Sequence, residues 1–472
     1  MDKSVAIVGG GLAGSEAALQ IASRGVRVDL YEMRPVRTTD VHKTAACAEL
    51  VCSNSLKSTK PDSAAGMLKR ELACLGSFLY DVALENAVPA GGALAVDRVA
   101  FADKVTQLIE DNPLIKLKRE EVSDIEALAD TYAAVVLATG PLTSDALASS
   151  LGNLAGDYLA FYDAAAPIVM ADSLDTSILF RQSRYEDASD DAGNAQGDYL
   201  NAPFTKDEYE RFIDELLAAE RVVQRDFESR DLFQACQPIE EIARAGRDAP
   251  RFGPLKPVGL TDPRTGRRPW AALQLRAEDA QCSSYNLVGF QTNLKFSEQK
   301  RVFSLVPGLE HAEFARYGVM HRNTFVDAPR VLDARLQMKT VRARALPAPV
   351  FVAGQLGGTE GYCEAIRSGL HVSLGVVAFL RGVAMPELPV ETAFGALLAH
   401  ATNPDTADYQ PMHVNFGIME PLDPPVRNKR ERYGAYARRG TQALERYRDE
   451  LVDAGLMEEG PYGRSQAEDA SV

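Results

Sequence analysis

What this chain is short of narrows the field. Its 472 residues include one tryptophan, six cysteines and six histidines. The cysteines, at 47, 52, 74, 236, 282 and 363, form no CxxC pair and the histidines no HxxxH pair. No metal site is therefore expected, and so few cysteines in so long a chain read as thiols of a reducing compartment rather than as a disulfide framework. Cations are also scarce, 51 Lys and Arg against 66 Asp and Glu for a net charge of −15, which taken alone argues against a general nucleic-acid binder. No basic start followed by an apolar signal segment precedes the first apolar run. The longest mostly apolar stretch, 369–380, holds His371 and Ser373 and is too short for a bilayer. The expectation is a cytoplasmic protein with no membrane contact and no obligatory protein partner.

What is present is ordinary in amount, 46% apolar and 25% charged residues, and long enough for two domains. The informative part is its arrangement. Residues 5–32 read VAIVGGGLAGSEAALQIASRGVRVDLYE: a buried-type strand, a glycine turn, a helical pattern, a second strand and an acid. In the turn Gly9, Gly10, Gly11, Leu12, Ala13, Gly14, the first of the three spaced glycines permits the tight bend. Gly11 lets the backbone approach a pyrophosphate, and Gly14 lets the helix lie close to the sheet. Glu32 falls where it can accept hydrogen bonds from a ribose. Strand, helix and acid at the right distance make this a dinucleotide site, within an α/β, Rossmann-like cofactor domain of the glutathione-reductase type.

Two later stretches repeat the theme. Residues 133–140, AAVVLATG, read as a buried strand ending at Gly140, of the kind found where a chain passes a flavin dinucleotide a second time. Residues 349–380 read as a strand, a glycine-rich loop holding Gly354, Gln355 and Gly361, and a long helix beginning near Tyr362, which could stack on a flavin ring. Contacts so far apart imply a discontinuous cofactor domain, 1–180 and 331–458, around an inserted mixed α/β domain, 181–330, on the substrate or RNA side. Residues 459–472 read as a disordered tail. There is no second strand-GxGxxG-helix unit, so a nicotinamide would lack a Rossmann domain of its own. Within this frame 42–58 reads as a loop over the cofactor and 66–84 as one helix. Another helix starts near Thr205, where Thr205 and Glu208 have the form of a capping box.

Two cysteines stand out by setting. Cys236, in LFQACQPIEEIARAG, lies just ahead of Pro238, which suits the first position of a helix with Glu240 and Glu241 in its first turn. Unpaired N–H groups there lower a thiol's pKa and the two acids raise it. Cys52, in AELVCSNSLKS, sits among hydroxyl and amide side chains rather than in an apolar run. The other four are read as structural. Against the global acidity stand three basic clusters, 244–268, 316–344 and 427–439, the last interleaved with Tyr433 and Tyr436, and together they favour RNA as a partner.

The blocks GGGLAGSEAA, AELVCSNSLKS, GDYLNAPFTKDEYERF, FQACQPIEE, RFGPLKPVGL, YNLVGFQTNLKFSEQKRVF, YGVMHRNTF and AGQLGGTEGYCEAIRSGL follow one another in this order. From residue 1 to about 440 the chain thereby resembles the folate- and FAD-dependent tRNA uracil-5-methyltransferases (TrmFO), relatives of the MnmG/GidA flavoproteins. The resemblance implies FAD as cofactor and 5,10-methylenetetrahydrofolate and NAD(P)H as co-substrates. It also implies methylation of C5 of a uridine in the tRNA T loop, at position 54. The cysteine assigned as nucleophile in the family matches Cys236, one with a role in C5 proton removal matches Cys52, and Tyr362 matches the position beside the isoalloxazine. Gln234, Ala235, Gln237 and Ala202 depart from the family pattern while leaving both thiols in place. They bear on the RNA target, for which ribosomal RNA is the alternative. More distant readings are the wobble-uridine flavoprotein, normally longer by a C-terminal helical domain, a flavin oxidase of small molecules, and an FAD-bearing protein that binds RNA without catalysis.

Overall fold

The computed structural model describes residues 4–459, apart from 40, 52, 156–158, 185–197, 223–236, 278–281, 283, 340–345, 407, 408 and 410. Cys52, Cys236, most of the polar stretch that begins at 181 and the tail from 460 lie outside the described residues.

A five-stranded sheet forms one layer, in the spatial order Val350–Val352, Ala134–Leu137, Ser4–Val8, Arg27–Tyr31, Ile115–Lys118. Every pairing is parallel, Ser4 facing Arg27 and Val5 facing Ala134. The central strands are buried on both faces, which is why both read as unbroken apolar runs rather than as an alternation. The last strand arrives only after the chain has built a second layer elsewhere. Next to the sheet, the helix Leu12–Ser23 packs on the long helix Tyr362–Arg381. A Cβ on Gly369 would stand 2.2 Å from the Ala13 carbonyl oxygen, so the two backbones touch.

The second layer is a six-stranded sheet ordered Phe180–Arg181, Tyr199–Phe204, Ala271–Ala277, Ser284–Leu287, Ile168–Met170, Phe314–Arg316. It has its own apolar core, in which the rings of Phe204, Phe212, Phe290 and Phe303 touch in series, Phe212 stacked on Phe290 and the outer two contacts tilted. The strands Leu159–Ala165 and Val319–Phe325, paired antiparallel, carry the chain out to this sheet and back. Its helix Lys206–Ala218 begins with the expected capping box. The Thr205 N–H donates to Glu208 at 2.7 Å, and the Glu208 N–H donates to the Thr205 hydroxyl.

Three expectations need correcting. The single helix over 66–84 is two, Ala64–Cys74 and Phe78–Glu85, because Gly76 takes φ of +68° and Ser77 caps the second. The loop 42–58 ends in a short strand, Ser55–Ser58, drawn into the antiparallel sheet with Ala93–Val96 and Ala87–Val88. The apolar stretch at 369–380 belongs to a helix of 20 residues, long and apolar enough to cross a membrane, but 83% of its apolar window is buried inside the protein.

Candidate functional site

The first glycine turn is shaped by contact on two sides and by space on the third. Gly9 has φ of +105°, and a Cβ there would lie 2.5 Å from the Ala138 oxygen; on Gly14 it would lie 1.9 Å from the Gly9 oxygen. Both positions exclude any larger residue. A Cβ on Gly11 would meet nothing within 4 Å. The helix begins at this open position with no side-chain cap and no acid in its first turn, so the unpaired N–H groups and the positive end of its dipole are left for an anion.

Glu32, 5% exposed, holds the turn from behind. The Gly10 N–H donates to Oε2 at 2.9 Å, while the N–H and Nε of Arg34 donate to Oε1 at 3.0 and 2.8 Å. Burial works against the charge, but the Arg34 guanidinium and these bonds outweigh it and hold the carboxyl below its usual range. Gly9, Gly11, Glu32, Thr139 and Thr143 line an open cleft beside the turn. The open Gly11, the uncapped helix and the buried acid together fit FAD. Gly140, with φ of +65° and nothing near its Cβ, lies at the mouth of the strand Ala134–Leu137.

In the late turn, Gly354 to Gly357 form one 3-10 turn and Gly361, with φ of +114°, starts the long helix, again without a side-chain cap. Two buried polar atoms here, Nε2 of Gln355 and Oγ1 of Thr359, have no partner within the protein. Hydrogen-bonding groups left in that condition suit a polar ring system laid against the turn.

The segment that carries Cys52 is fastened to this place. The Ser53 N–H donates to the Tyr362 hydroxyl at 3.1 Å. From the second sheet, Arg276 donates to the Ser53 hydroxyl at 2.8 Å and to Asn54 Oδ1 at 2.7 Å, and Asn54 donates back to the Ala277 carbonyl. Three residues beyond Asn54, Lys57 pairs at 3.3 Å with Glu364, which also accepts from the Val414 N–H. Beside them burial, aided by the Lys57 charge, pushes His413 below its ordinary pKa. Lys57, Arg276, Glu364 and His413 were not singled out in the sequence. Only the charged positions themselves were visible there, in four separate stretches.

Downstream of Cys236, the helix runs Ile239–Ala245 with Pro238 as its N-cap, one position ahead of the expected place, and with Glu240 and Glu241 in its first turn as expected. Neither acid is loose. Glu240 accepts from the Thr292 hydroxyl and the Asn293 N–H, and Glu241 pairs with Arg221 and Arg244. Among the other cysteines, burial pushes the thiols of Cys47, Cys74 and Cys363 up to about 11, so they stay protonated and inert. Among the described residues no group of three or more His, Cys, Asp and Glu could hold a metal ion.

Comparison with known proteins agrees with this geometry. The family model for glucose inhibited division protein A (GIDA) matches residues 4–383. The chain is 51% identical over 448 residues to the methylenetetrahydrofolate--tRNA-(uracil-5-)-methyltransferase TrmFO of Geobacter sulfurreducens, covering 95% of this chain and 99% of that one. It is 46% identical to the protein of the same name from Bacillus pumilus, covering 94% and 99%. A solved structure of Aquifex aeolicus GidA shares the fold, with a TM-score of 0.69 at 17% identity over 98% of this chain and 77% of that one. On this similarity, which runs nearly from end to end, the chain belongs to the TrmFO family of the GidA-related flavoproteins.

Proposed function

We propose that the protein methylates C5 of a uridine in tRNA, taking the carbon from 5,10-methylenetetrahydrofolate, with FAD as resident cofactor and NAD(P)H as electron source. Identity of 51% and 49%, over 95% and 94% of this chain, with proteins named for that reaction carries the reading. The fastening of the Cys52 segment to Tyr362 supports the assignment of roles. The finer target is the T loop, position 54, with ribosomal RNA as the alternative, and the setting is the cytoplasm.

In this reading the turn from Gly9 to Gly14 and Glu32 hold the dinucleotide, and Gly140, Gly354, Gln355, Gly361 and Tyr362 line its flavin end. When bound there, reduced FAD would supply the hydride that brings the folate-derived carbon to the methyl level. The chain's own task is to make a poor nucleophile reactive. The Cys236 thiolate adds to C6 of uracil, which pushes electron density onto C5. After the methylene carbon is bound at C5, Cys52 removes the C5 proton as the carbon's bond to its carrier breaks; a hydride then brings the exocyclic methylene to methyl, and departure of the Cys236 sulfur restores the C5–C6 double bond. Tyr362, through the Ser53 N–H, and Arg276, through the Ser53 and Asn54 side chains, fix the segment on the C-terminal side of Cys52, so its reach toward C5 is set by two elements from distant parts of the chain.

With Cys236→Ser, FAD stays bound and the covalent adduct with RNA containing 5-fluorouridine is lost; an undiminished adduct removes Cys236 from its role. Mass spectrometry of nucleosides from RNA incubated with the protein, FAD, NADPH and methylenetetrahydrofolate identifies the product, and parallel tRNA and ribosomal RNA substrates separate the two targets.

A further inference from the structure

The three basic clusters are not equivalent once folded. In the first, Arg244, Arg247, Arg251 and Arg264 each hold a carboxylate, from Glu241, Asp214, Asp248 and Asp262. In the second, Arg330 and Arg335 hold Asp327 and Asp333. The third differs: among the described residues, no carboxylate pairs with Arg427, Lys429, Arg430, Arg432, Arg438 or Arg439. This stretch opens the C-terminal helix Lys429–Asp453. Lys429 and Arg432 lie over the Tyr433 ring, and Tyr433 in turn stacks on Phe416 with centroids 4.1 Å apart.

One face of this helix borders a groove. About 1180 Å³ of open space lies between it and the helix Ala64–Cys74, with Arg438 on one wall and Arg70 on the other. Arg430 is two turns before Arg438 on the same face. The acids nearby are Asp62, on the groove wall, Glu445, which forms an ion pair with Arg70 at 3.8 Å, and Glu431, beside Arg430 in the first turn of the helix. In a chain with a net charge of −15, a groove with this sign and so little compensation is built for a polyanion.

Two threads tie the groove to the site. Its floor begins at Thr59, directly after the strand Ser55–Ser58 that leaves Ser53, and Lys69 ties the wall to that strand through the Leu56 and Ser58 carbonyls. At the other end, Phe416 continues a segment in which the Met412 carbonyl accepts from the Glu360 N–H and the Val414 N–H donates to Glu364, both at the late glycine turn. We propose that this groove, between the helices Ala64–Cys74 and Lys429–Asp453, is where the RNA backbone outside the modified nucleotide docks, Arg70, Arg430 and Arg438 meeting its phosphates. This rests on the reading of the protein as an RNA methyltransferase.

The test uses the full FAD-loaded chain and an unmodified tRNA transcript, with affinity measured over a series of KCl concentrations. Arg430→Gln with Arg438→Gln should retain the flavin spectrum and melting temperature, weaken binding about tenfold, and reduce the slope of log K against log salt by about two, one per lost phosphate contact. Arg264→Gln, whose guanidinium already holds Asp262, should change affinity less than about twofold. Equal losses in the two variants would mean a general field and overturn the groove, as would an unchanged slope in the double variant. If the unaltered protein binds tRNA and methylates it while the double variant does so equally well, only the groove falls. If the unaltered protein binds no tRNA, the functional reading falls with it.

Discussion

The two glycine turns look alike in sequence and are built differently. In the first, Gly9 and Gly14 are demanded by backbone contacts while Gly11 faces open space, and no acid lies in the first turn of the helix. In the second, Gly354 and Gly361 are demanded by positive φ, and a buried acid, Glu364, sits in the first turn of the helix, balanced by Lys57. The first turn is therefore an anion seat with an undiluted positive end. The second spends its positive end internally and gains rigidity, fixing Tyr362 and through it the segment after Cys52. Each helix also carries one buried acid used as structural glue: Glu16 accepts from the N–H groups of Phe78 and Leu79, and Glu364 from Lys57 and Val414.

Substitutions that separate these roles test the contrast. Gly14→Ala should have the largest effect, destabilising the fold by at least about 3 kcal/mol in thermal or denaturant unfolding, since its Cβ has nowhere to go; a folded, flavin-replete Gly14→Ala protein would refute the contact account. Next comes the buried acid. Burial pushes the Glu16 carboxyl up to about 7, above its unfolded value, so it contributes stability below about pH 4.5 that is lost as pH rises through 7. Glu16→Gln should flatten that decline, while lowering stability at pH 5, because its amide NH2 must face the Phe78 or Leu79 N–H. A parallel pH profile in the two proteins would discard this assignment. Gly11→Ala should leave the fold intact but weaken FAD binding about tenfold, as fluorescence of released flavin would report, because only the ligand needs that space. The mildest effect belongs to the second turn: Tyr362→Phe loses one hydrogen bond of about 1 kcal/mol to the Ser53 N–H. Turnover should fall a few-fold with FAD content unchanged; loss of FAD instead would make the hydroxyl a cofactor contact.

The parallel layer was legible because its signals are local. An apolar run buried on both faces, a glycine turn and an acid lie within thirty residues, and each has a steric reason that neighbours in sequence impose. The capping box at Thr205 was legible for the same cause. The helix over 66–84 was misread because its apolar spacing continues across Gly76 and Ser77, the residues that end the first helix and cap the second. The 42–58 stretch was misread because a four-residue strand acquires its partners, Ala93–Val96, only on folding. The basic clusters show the limit most plainly: their tallies of Arg and Lys looked alike, and pairing with Asp214, Asp262 or Asp333 neutralised some and not others.

By itself the sequence determined the strand, glycine turn and first helix with its open, uncapped start, and which relatives the chain has, because those properties are written in contiguous residues whose backbone geometry follows from their own side chains. Only the tertiary structure decided that Ser53 would meet Tyr362 and Arg276, that Lys57 would be spent on Glu364, and that one basic stretch of three would remain unpaired beside a groove. Those outcomes depend on distances between residues hundreds of positions apart, and such distances exist only after two sheets have packed and the chain has returned to close the first.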